Sequence, residues 1–322
     1  MIPVAVLGAT GMVGQRFISL LENHPWFTLT QVAASDKSVG KSYAKAANWQ
    51  LDGSPPDLTV CSLADVESGK ARVVFSALPG GLAGEWERRL AKAGKAVFTN
   101  ASDLRMAPDV PLLIPEINGA LLATLDGPGF VVANGNCSGI ILTMALAPLL
   151  PYGIEEVHVT TYQGLSGAGY PGVSGLDVVD NVVPFIPGEE EKLEEEPCKT
   201  LDQDFPIFAT CARVPVREGH LESVHVKLRK PVAKRVYEAA FQSMQGLDLP
   251  SAPGHPIELA SAPNRPQPRR DRDNGNGMAV TVGRIRVEGP WLRFFVLGHN
   301  TVRGAAGQSI LNAEAVYEAG LL

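Results

Sequence analysis

Cysteine is scarce in this chain: 322 residues hold four, Cys61, Cys137, Cys198 and Cys211, and no two form a C-x-x-C pair. Their scatter fits free thiols in a reducing compartment, one of them open to reaction, better than a disulfide framework or a zinc site. An excess of positive charge is missing too. The chain carries 28 Lys and Arg against 34 Asp and Glu, a net charge of -6, which gives no chain-wide attraction to nucleic acid and favours a small-molecule partner. No apolar run approaches bilayer length, and the most hydrophobic stretch, Ile140 to Leu150, suits a core helix. Membrane insertion is therefore not expected. No basic segment or cleavage pattern precedes Val4 to Leu7, so the start reads as a first strand rather than a signal peptide, and a cytoplasmic protein is expected. At this length two domains are expected, with a cleft for a ligand.

What is present is organised in two textures. Val4 to Leu7, Leu29 to Ala34, Ala71 to Ser76, Ala96 to Thr99 and Gly129 to Val132 read as short β-branched strands with helices between them, the pattern of a parallel sheet wound with crossover helices. From Glu155 the strands lengthen: Glu155 to Gln163, Ser223 to Arg229, Met278 to Val287 and Leu292 to Leu297, with a helix near Val232 to Met244. A mostly antiparallel α+β domain is expected there. The acidic run Gly188 to Glu196 reads for most of its length as a solvated helix start, its charges suited to the positive end of the helix dipole. Asn264 to Gly277 mixes arginines with Pro, Asp and Asn and reads as an ordered loop rather than a nucleic-acid patch. No internal repeat is visible.

Gly8-Ala9-Thr10-Gly11-Met12-Val13-Gly14 follows the first strand and leads into a helix marked by Phe17, Leu20 and Leu21. In that context Gly8 permits the tight turn, Gly11 lets backbone approach a pyrophosphate at the helix N-terminus, and Gly14 lets helix and strand pack closely. The spacing is GxxGxxG rather than GxGxxG, so on the motif alone a plain turn into a helix remains the alternative. At the end of the second strand, Ser35-Asp36-Lys37-Ser38 occupies the place where such folds choose between a ribose diol and a 2′-phosphate. Asp36 alone suits NAD, whereas Lys37 and the two hydroxyls suit the 2′-phosphate of NADP, which is the cofactor favoured here. Ser76-Ala77-Leu78-Pro79-Gly80-Gly81 ends another strand at the same sheet edge, either beside the ribose and pyrophosphate or as a Pro-Gly turn.

Asn134-Gly135-Asn136-Cys137-Ser138-Gly139 leaves a strand and enters a helix expected to begin near Ile140, which places a thiol at a helix start. Amides and dipole there favour a thiolate nucleophile. A lone cysteine is more often a small buried hydrophobe, but these glycine and asparagine neighbours argue against an apolar core. Acyl chemistry at sulfur needs a proton partner, and His220, in Arg213-Val214-Pro215-Val216-Arg217-Glu218-Gly219-His220, is the candidate acid and base. Arg213 offers a guanidinium fork for a substrate carboxylate, with a surface salt bridge as the plainer alternative.

At this point the chain resembles the aspartate-semialdehyde dehydrogenases, in the branch shared by archaea and fungi, over essentially its whole length. The resemblance is carried by GATGMVG (Gly8 to Gly14), NCS (Asn136 to Ser138), YQGLSGAGYPG (Tyr162 to Gly172), IPGEEEK (Ile186 to Lys192), RVPVREGH (Arg213 to His220), RPQPRRDRDNGNGM (Arg265 to Met278), VGRIR (Val282 to Arg286) and HNTVRGAAG (His299 to Gly307). It implies an α/β chain of the glyceraldehyde-3-phosphate-dehydrogenase-like two-domain architecture. A Rossmann-like NADP-binding domain would span 1–133, an α+β catalytic and dimerisation domain 134–302, and a C-terminal helix in 303–322 would pack back onto the first. The resemblance further implies that Cys137 is the acyl-accepting thiol, Gln163 orients substrate, Arg213 grips its carboxylate and His220 is the acid and base. Arg105 would bind the phosphoryl group or phosphate, and Glu189 and Lys192 the amino and phosphate sides. For the cofactor it points to Gly8, Thr10, Gly11, Met12, Val13, Ser35, Lys37, Ser38, Ser76 and Leu78, with Ser166 and Gly167 closing over the nicotinamide and Asn300 and Gly304 in contact. The pattern departs from the family at Gly135 (usually Pro), Gly139 (usually Ser or Thr) and Lys37 (usually Arg), and none of these removes a reacting group.

The implied reaction is NADPH-dependent reductive dephosphorylation of L-aspartyl 4-phosphate to L-aspartate 4-semialdehyde, a step toward lysine, threonine and methionine, run by a homodimer or homotetramer. A carboxylate is too poor an electrophile for hydride, so an activated acyl group and a thioester are required. The competing readings are a malonyl-CoA or other acyl-CoA reductase using the same thiol, an N-acetylglutamyl-phosphate reductase, which fits RVPVREGH and YQGLSGAGYPG less well, and a catalytically silent NADP-binding regulator, which would have no use for Cys137 and His220 together.

Overall fold

The apolar run at the N-terminus forms β1 (Ile2–Leu7), with Val4 to Leu7 fully buried. In the computed structural model, which describes all 322 residues, β1 lies inside a parallel sheet with β2 (Phe27–Ala33), β3 (Val60–Cys61), β4 (Val73–Ser76), β5 (Ala96–Thr99) and β6 (Phe130–Ala133) in the order β3-β2-β1-β4-β5-β6. Alternate residues of β1 feed two cores: Val4 and Val6 pack with Phe17, Phe75 and Ile310, and Ala5 and Leu7 with Val74, Leu90 and Val97. Burial on both faces is why these strands read as continuous apolar runs. The strand order reverses between β1 and β4, so the crevice beyond their carboxyl ends is a topological switch point, where doubly wound sheets bind ligands.

The chain divides into two compact units. The first comprises Met1–Gly135, Leu249–Ser251 and Ala305–Leu322, and the second Asn136–Asp248 and Ala252–Gly304. The C-terminal helix Gly307–Glu318 packs on β4, β5 and the helix Met12–Leu21. It is tied there by Glu314, fully buried, which accepts from His24 Nε2 at 2.7 Å and from Ser251 Oγ at 2.6 Å.

The second unit is built on β7 (Ile154–Gln163), β8 (Ile207–Arg213), β9 (His220–Leu228), β10 (Ile257–Ala260), β11 (Val280–Glu288) and β12 (Trp291–Gly298), ordered β10-β11-β12-β9-β7-β8. Its middle is antiparallel, and the pairs β10–β11 and β7–β8 at either end are parallel. Along β9 every second residue is buried, putting His220, Glu222, Val224, Val226 and Leu228 on one face. The helix Cys137–Leu146, buried from Ser138 to Leu146, and the helix Glu189–Leu201 lie together over this sheet. No helix is long and apolar enough to cross a membrane.

Two expectations need correction. The helix begins at Cys137 itself, not near Ile140, because Asn136 caps it by accepting from the amides of Ser138 (3.0 Å) and Gly139 (3.1 Å). The acidic run is mostly not a solvated surface. Glu190 and Glu194 accept from the amides of Cys211 (2.9 Å) and Ala209 (3.0 Å), satisfying donors of the sheet-edge strand β8, and Glu196 is buried against the Asn136 amide at 2.5 Å. A charge run looks solvated until the unpaired backbone it answers is known.

Candidate active site

Gln163 is the last residue of β7, and the sheet register sets Arg213 of β8 directly beside it on one side and His220 of β9 on the other. Three side chains far apart in sequence thus form one row, all buried on the face beneath the helix Cys137–Leu146. At the start of that helix Cys137 Sγ stands 3.2 Å from His220 Nε2. Gly304 packs so closely on the thiol that an added Cβ would lie 2.7 Å from Cys137 Cβ. A Cβ on Gly167 would lie 2.8 Å from Arg213 Nη1 and 3.3 Å from the His220 ring. Both glycines are therefore places where only a bare backbone can approach the reacting groups.

His220 is fully buried, and its Nδ1 accepts from the Gly164 amide at 3.1 Å. An amide can only donate, so the neutral ring carries its proton on Nε2, the atom facing sulfur. Desolvation first, and the Arg213 charge second, push its pKa down to about 3. The imidazole is thus a neutral Nε2–H donor toward Cys137, and together with the helix N-terminus it supports negative charge on sulfur. Burial raises Cys61 and Cys198, and Cys211 is pushed up to about 12.

Glu189 begins its helix and closes the far side of the site. Its Oε1 accepts from Asn136 Nδ2 (3.0 Å) and Gln163 Nε2 (3.1 Å), lies 4.0 Å from Cys137 Sγ, and its Oε2 is 3.9 Å from Lys192 Nζ. Gln163 Nε2 also donates to Ser138 Oγ at 2.8 Å. Arg213 is 6% exposed and donates through Nη1 to the Gly164 carbonyl at 2.9 Å; burial lowers its pKa, and nearby Cys137 and Glu189 oppose that shift. A buried guanidinium fork of this kind is suited to a carboxylate ligand. The loop ahead of His220 is braced by Asn300, whose Oδ1 accepts from the Gly219 amide and whose Nδ2 donates to Ser166 Oγ, each at 2.8 Å.

The first unit holds the other expected constellation. A cavity of about 610 Å³ is lined by Gly8, Thr10, Gly11, Ser35 and Leu78. Gly8 has φ +65 and an added Cβ would lie 2.2 Å from the Ala77 carbonyl, while a Cβ on Gly14 would lie 2.3 Å from the Gly8 carbonyl. The helix Met12–Leu21, with Met12 and Val13 in its first turn, starts on Gly11 without a side-chain cap, leaving its N-terminal amides for an anion. These features fit a dinucleotide. Lys37 and Ser38 lie in the one-turn helix Asp36–Ser38 at the pocket's edge. Ser76 is different: it is fully buried, its hydroxyl donates to Glu87 Oε1 at 2.7 Å and its carbonyl accepts from the Asn100 amide at 2.9 Å, and it does not line the cavity. Arg105, also in this unit, is buried and donates through Nη2 to the Asn100 carbonyl at 2.7 Å. No cluster of three His, Cys, Asp or Glu is placed to hold a metal ion.

Two of these contacts are not written locally. Glu196, which accepts from the Asn136 amide just ahead of the thiol's helix, and Gly164, which fixes the imidazole's tautomer, act through contacts made only in the folded chain, whereas the Asn136 cap on Ser138 and Gly139 is local to the NCS motif. Asp36 lines the dinucleotide cavity where Lys37 does not.

Known proteins resemble this chain over its whole length. The semialdehyde dehydrogenase NAD-binding domain matches residues 3–125 and the semialdehyde dehydrogenase dimerisation domain residues 146–303. The aspartate-semialdehyde dehydrogenase of Archaeoglobus fulgidus is 49% identical, the alignment covering 97% of this chain and 96% of that one. That of Saccharomyces cerevisiae is 38% identical, covering 98% of each. The crystal structure of the Candida albicans aspartate-semialdehyde dehydrogenase with NADP superposes with a TM-score of 0.89 at 36% identity over the whole of both chains. This chain belongs to the semialdehyde dehydrogenase family, among the aspartate-semialdehyde dehydrogenases.

Proposed function

We propose that this chain catalyses the NADPH-dependent conversion of L-aspartyl 4-phosphate to L-aspartate 4-semialdehyde, and its phosphate-dependent reverse, through a thioester on Cys137. The observation that carries the chemistry is the 3.2 Å approach of Cys137 Sγ to a neutral, buried His220 Nε2–H. The sulfur attacks the β-carbonyl carbon, a C–S bond forms, the C–O bond to phosphate breaks, and phosphate leaves. Arg213 pairs with the substrate's α-carboxylate and Glu189 with its ammonium, which orients the carbonyl over sulfur, while Gln163 holds Glu189 and Ser138 in place. His220 Nε2–H donates toward the carbonyl oxygen as charge develops there. Arg105 and Lys192 serve the phosphate.

NADPH, when bound, would supply the hydride to the acyl carbon, whose C–S bond then breaks to release the semialdehyde and return Cys137 as the thiolate, and Gly8, Thr10, Gly11, Met12, Val13, Ser35 and Leu78 are the residues that would hold its adenosine and pyrophosphate. Ser166, Gly167 and Asn300 are proposed as further cofactor contacts. A cytoplasmic homodimer or homotetramer completes the reading, supported by the dimerisation-domain match over 146–303.

The test is formation of reduced cofactor from L-aspartate 4-semialdehyde and NADP, with phosphate and then with coenzyme A in its place. Phosphate-dependent turnover that Cys137→Ala abolishes is expected. Turnover with coenzyme A alone would reassign the leaving group, and turnover surviving in Cys137→Ala would remove the thioester.

A further inference from the structure

The dinucleotide cavity of the first unit contains one charged side chain among those lining it, Asp36, and no lysine or arginine. Asp36 stands three residues beyond the end of β2, in the loop where a carboxylate in a doubly wound fold reads the ribose diol of NAD. Lys37 is exposed in the same one-turn helix and is not among the residues that line the cavity. A 2′-phosphate placed here meets a carboxylate inside the cavity and a single flexible ammonium outside it. That ammonium is a point charge without the bidentate fork that arginine presents to phosphate, and at this exposed rim it is screened by salt. The two neighbours therefore favour different cofactors.

We propose that this site accepts both NAD and NADP, Asp36 bonding the ribose 2′-hydroxyl of the first and Lys37 answering the 2′-phosphate of the second. This rests on the cofactor class proposed above and adds its breadth. Since the two residues are exposed, replacing either leaves the buried sheet untouched.

The experiment is a titration of the full-length protein with NADH and with NADPH, followed by cofactor fluorescence or calorimetry without substrate. Both reduced cofactors should bind, with dissociation constants within about tenfold of each other at low salt. Asp36→Ala should raise the ratio Kd(NADH)/Kd(NADPH) by about tenfold, and Lys37→Ala should lower it by a similar factor. Added salt should weaken NADPH more than NADH. Binding of NADPH with no detectable NADH binding at a roughly hundredfold higher concentration would overturn the inference while leaving the proposed reaction intact. So would an Asp36→Ala protein with an unchanged ratio. If neither cofactor binds, the inference and the cofactor reading beneath it fall together.

Discussion

The Gly164 amide donates to His220 Nδ1 at 3.1 Å, and this one bond decides where the imidazole keeps its proton. It places Nε2–H against Cys137 Sγ and sets the protonated ring at a disadvantage, because an Nδ1–H would then face the Gly164 N–H. Burial and Arg213 act in the same direction. His220 thus enters the reaction as a hydrogen-bond donor rather than as an imidazolium.

The first prediction concerns pH. With the His220 pKa near 3 in the fold, kcat/KM should show no acid limb centred near the ordinary histidine value of about 6.5. Between those two values the unfolded chain binds a proton that the folded chain does not, so this group costs stability as pH falls through that window. His220→Gln should flatten that part of the acid-unfolding curve while lowering kcat by about 10²- to 10⁴-fold. A wild-type profile with a single clear limb near pH 6.5 that vanishes in His220→Gln would mean that the ring does titrate there.

Glu222 gives a prediction of opposite sign. It is fully buried two register rows from His220, on the same face of β9 and opposite Thr161, and neither carboxyl oxygen meets a protein partner. Burial foremost, and the Glu189 charge second, raise its pKa well above the usual carboxylate value. An acid with a raised folded pKa contributes most to stability below its unfolded pKa of about 4.3, and loses that contribution as pH rises, because only the unfolded chain can then ionise. Glu222→Gln keeps the shape and removes the proton. Its melting temperature should exceed the wild type's at pH 8 by a few degrees, on the order of 2–4 °C for each kcal/mol, and match it near pH 4.5. Equal shifts at both pH values would show that packing, not ionisation, is responsible.

How much of this was visible in the sequence depends on how local each feature is. The glycine turn and the thiol at a helix start are written in consecutive residues, and GATGMVG and NCS carry them without help from the rest of the chain. The row Arg213–Gln163–His220 is not local, since it exists only in the register of β8, β7 and β9. β8 itself, with Phe208 and Thr210 exposed and Ile207 and Cys211 buried, is a strand that the sequence pattern does not announce. Glu190, Glu194 and Glu196 look like a solvated run because the amides they satisfy belong to other segments. Ser76 illustrates the converse: its position at the sheet edge is legible, but the direction of its hydroxyl, inward to Glu87, is set by tertiary packing.

The last prediction uses the contact between Gly304 and the nucleophile. A Cβ at Gly304 would lie 2.7 Å from Cys137 Cβ, 3.0 Å from its Cα and 3.3 Å from its carbonyl oxygen. Two of these are backbone atoms at the first residue of a helix whose remaining turns are buried, so the strain cannot be relieved by rotating a side chain. Gly304→Ala must move the start of the helix, and with it the sulfur relative to His220 Nε2. A displacement on the order of 1 Å costs about 10²-fold in rate where a reacting geometry is fixed, and overpacking costs about 1–3 kcal/mol of stability. The measurements are kcat and the second-order rate of Cys137 alkylation by iodoacetamide, read beside Gly254→Ala, where an added Cβ meets nothing within 4 Å. Both rates should fall in Gly304→Ala and hold in Gly254→Ala. A Gly304→Ala enzyme that alkylates and turns over like the wild type would show that the helix start yields freely, and that the 3.2 Å sulfur–imidazole distance does not depend on it.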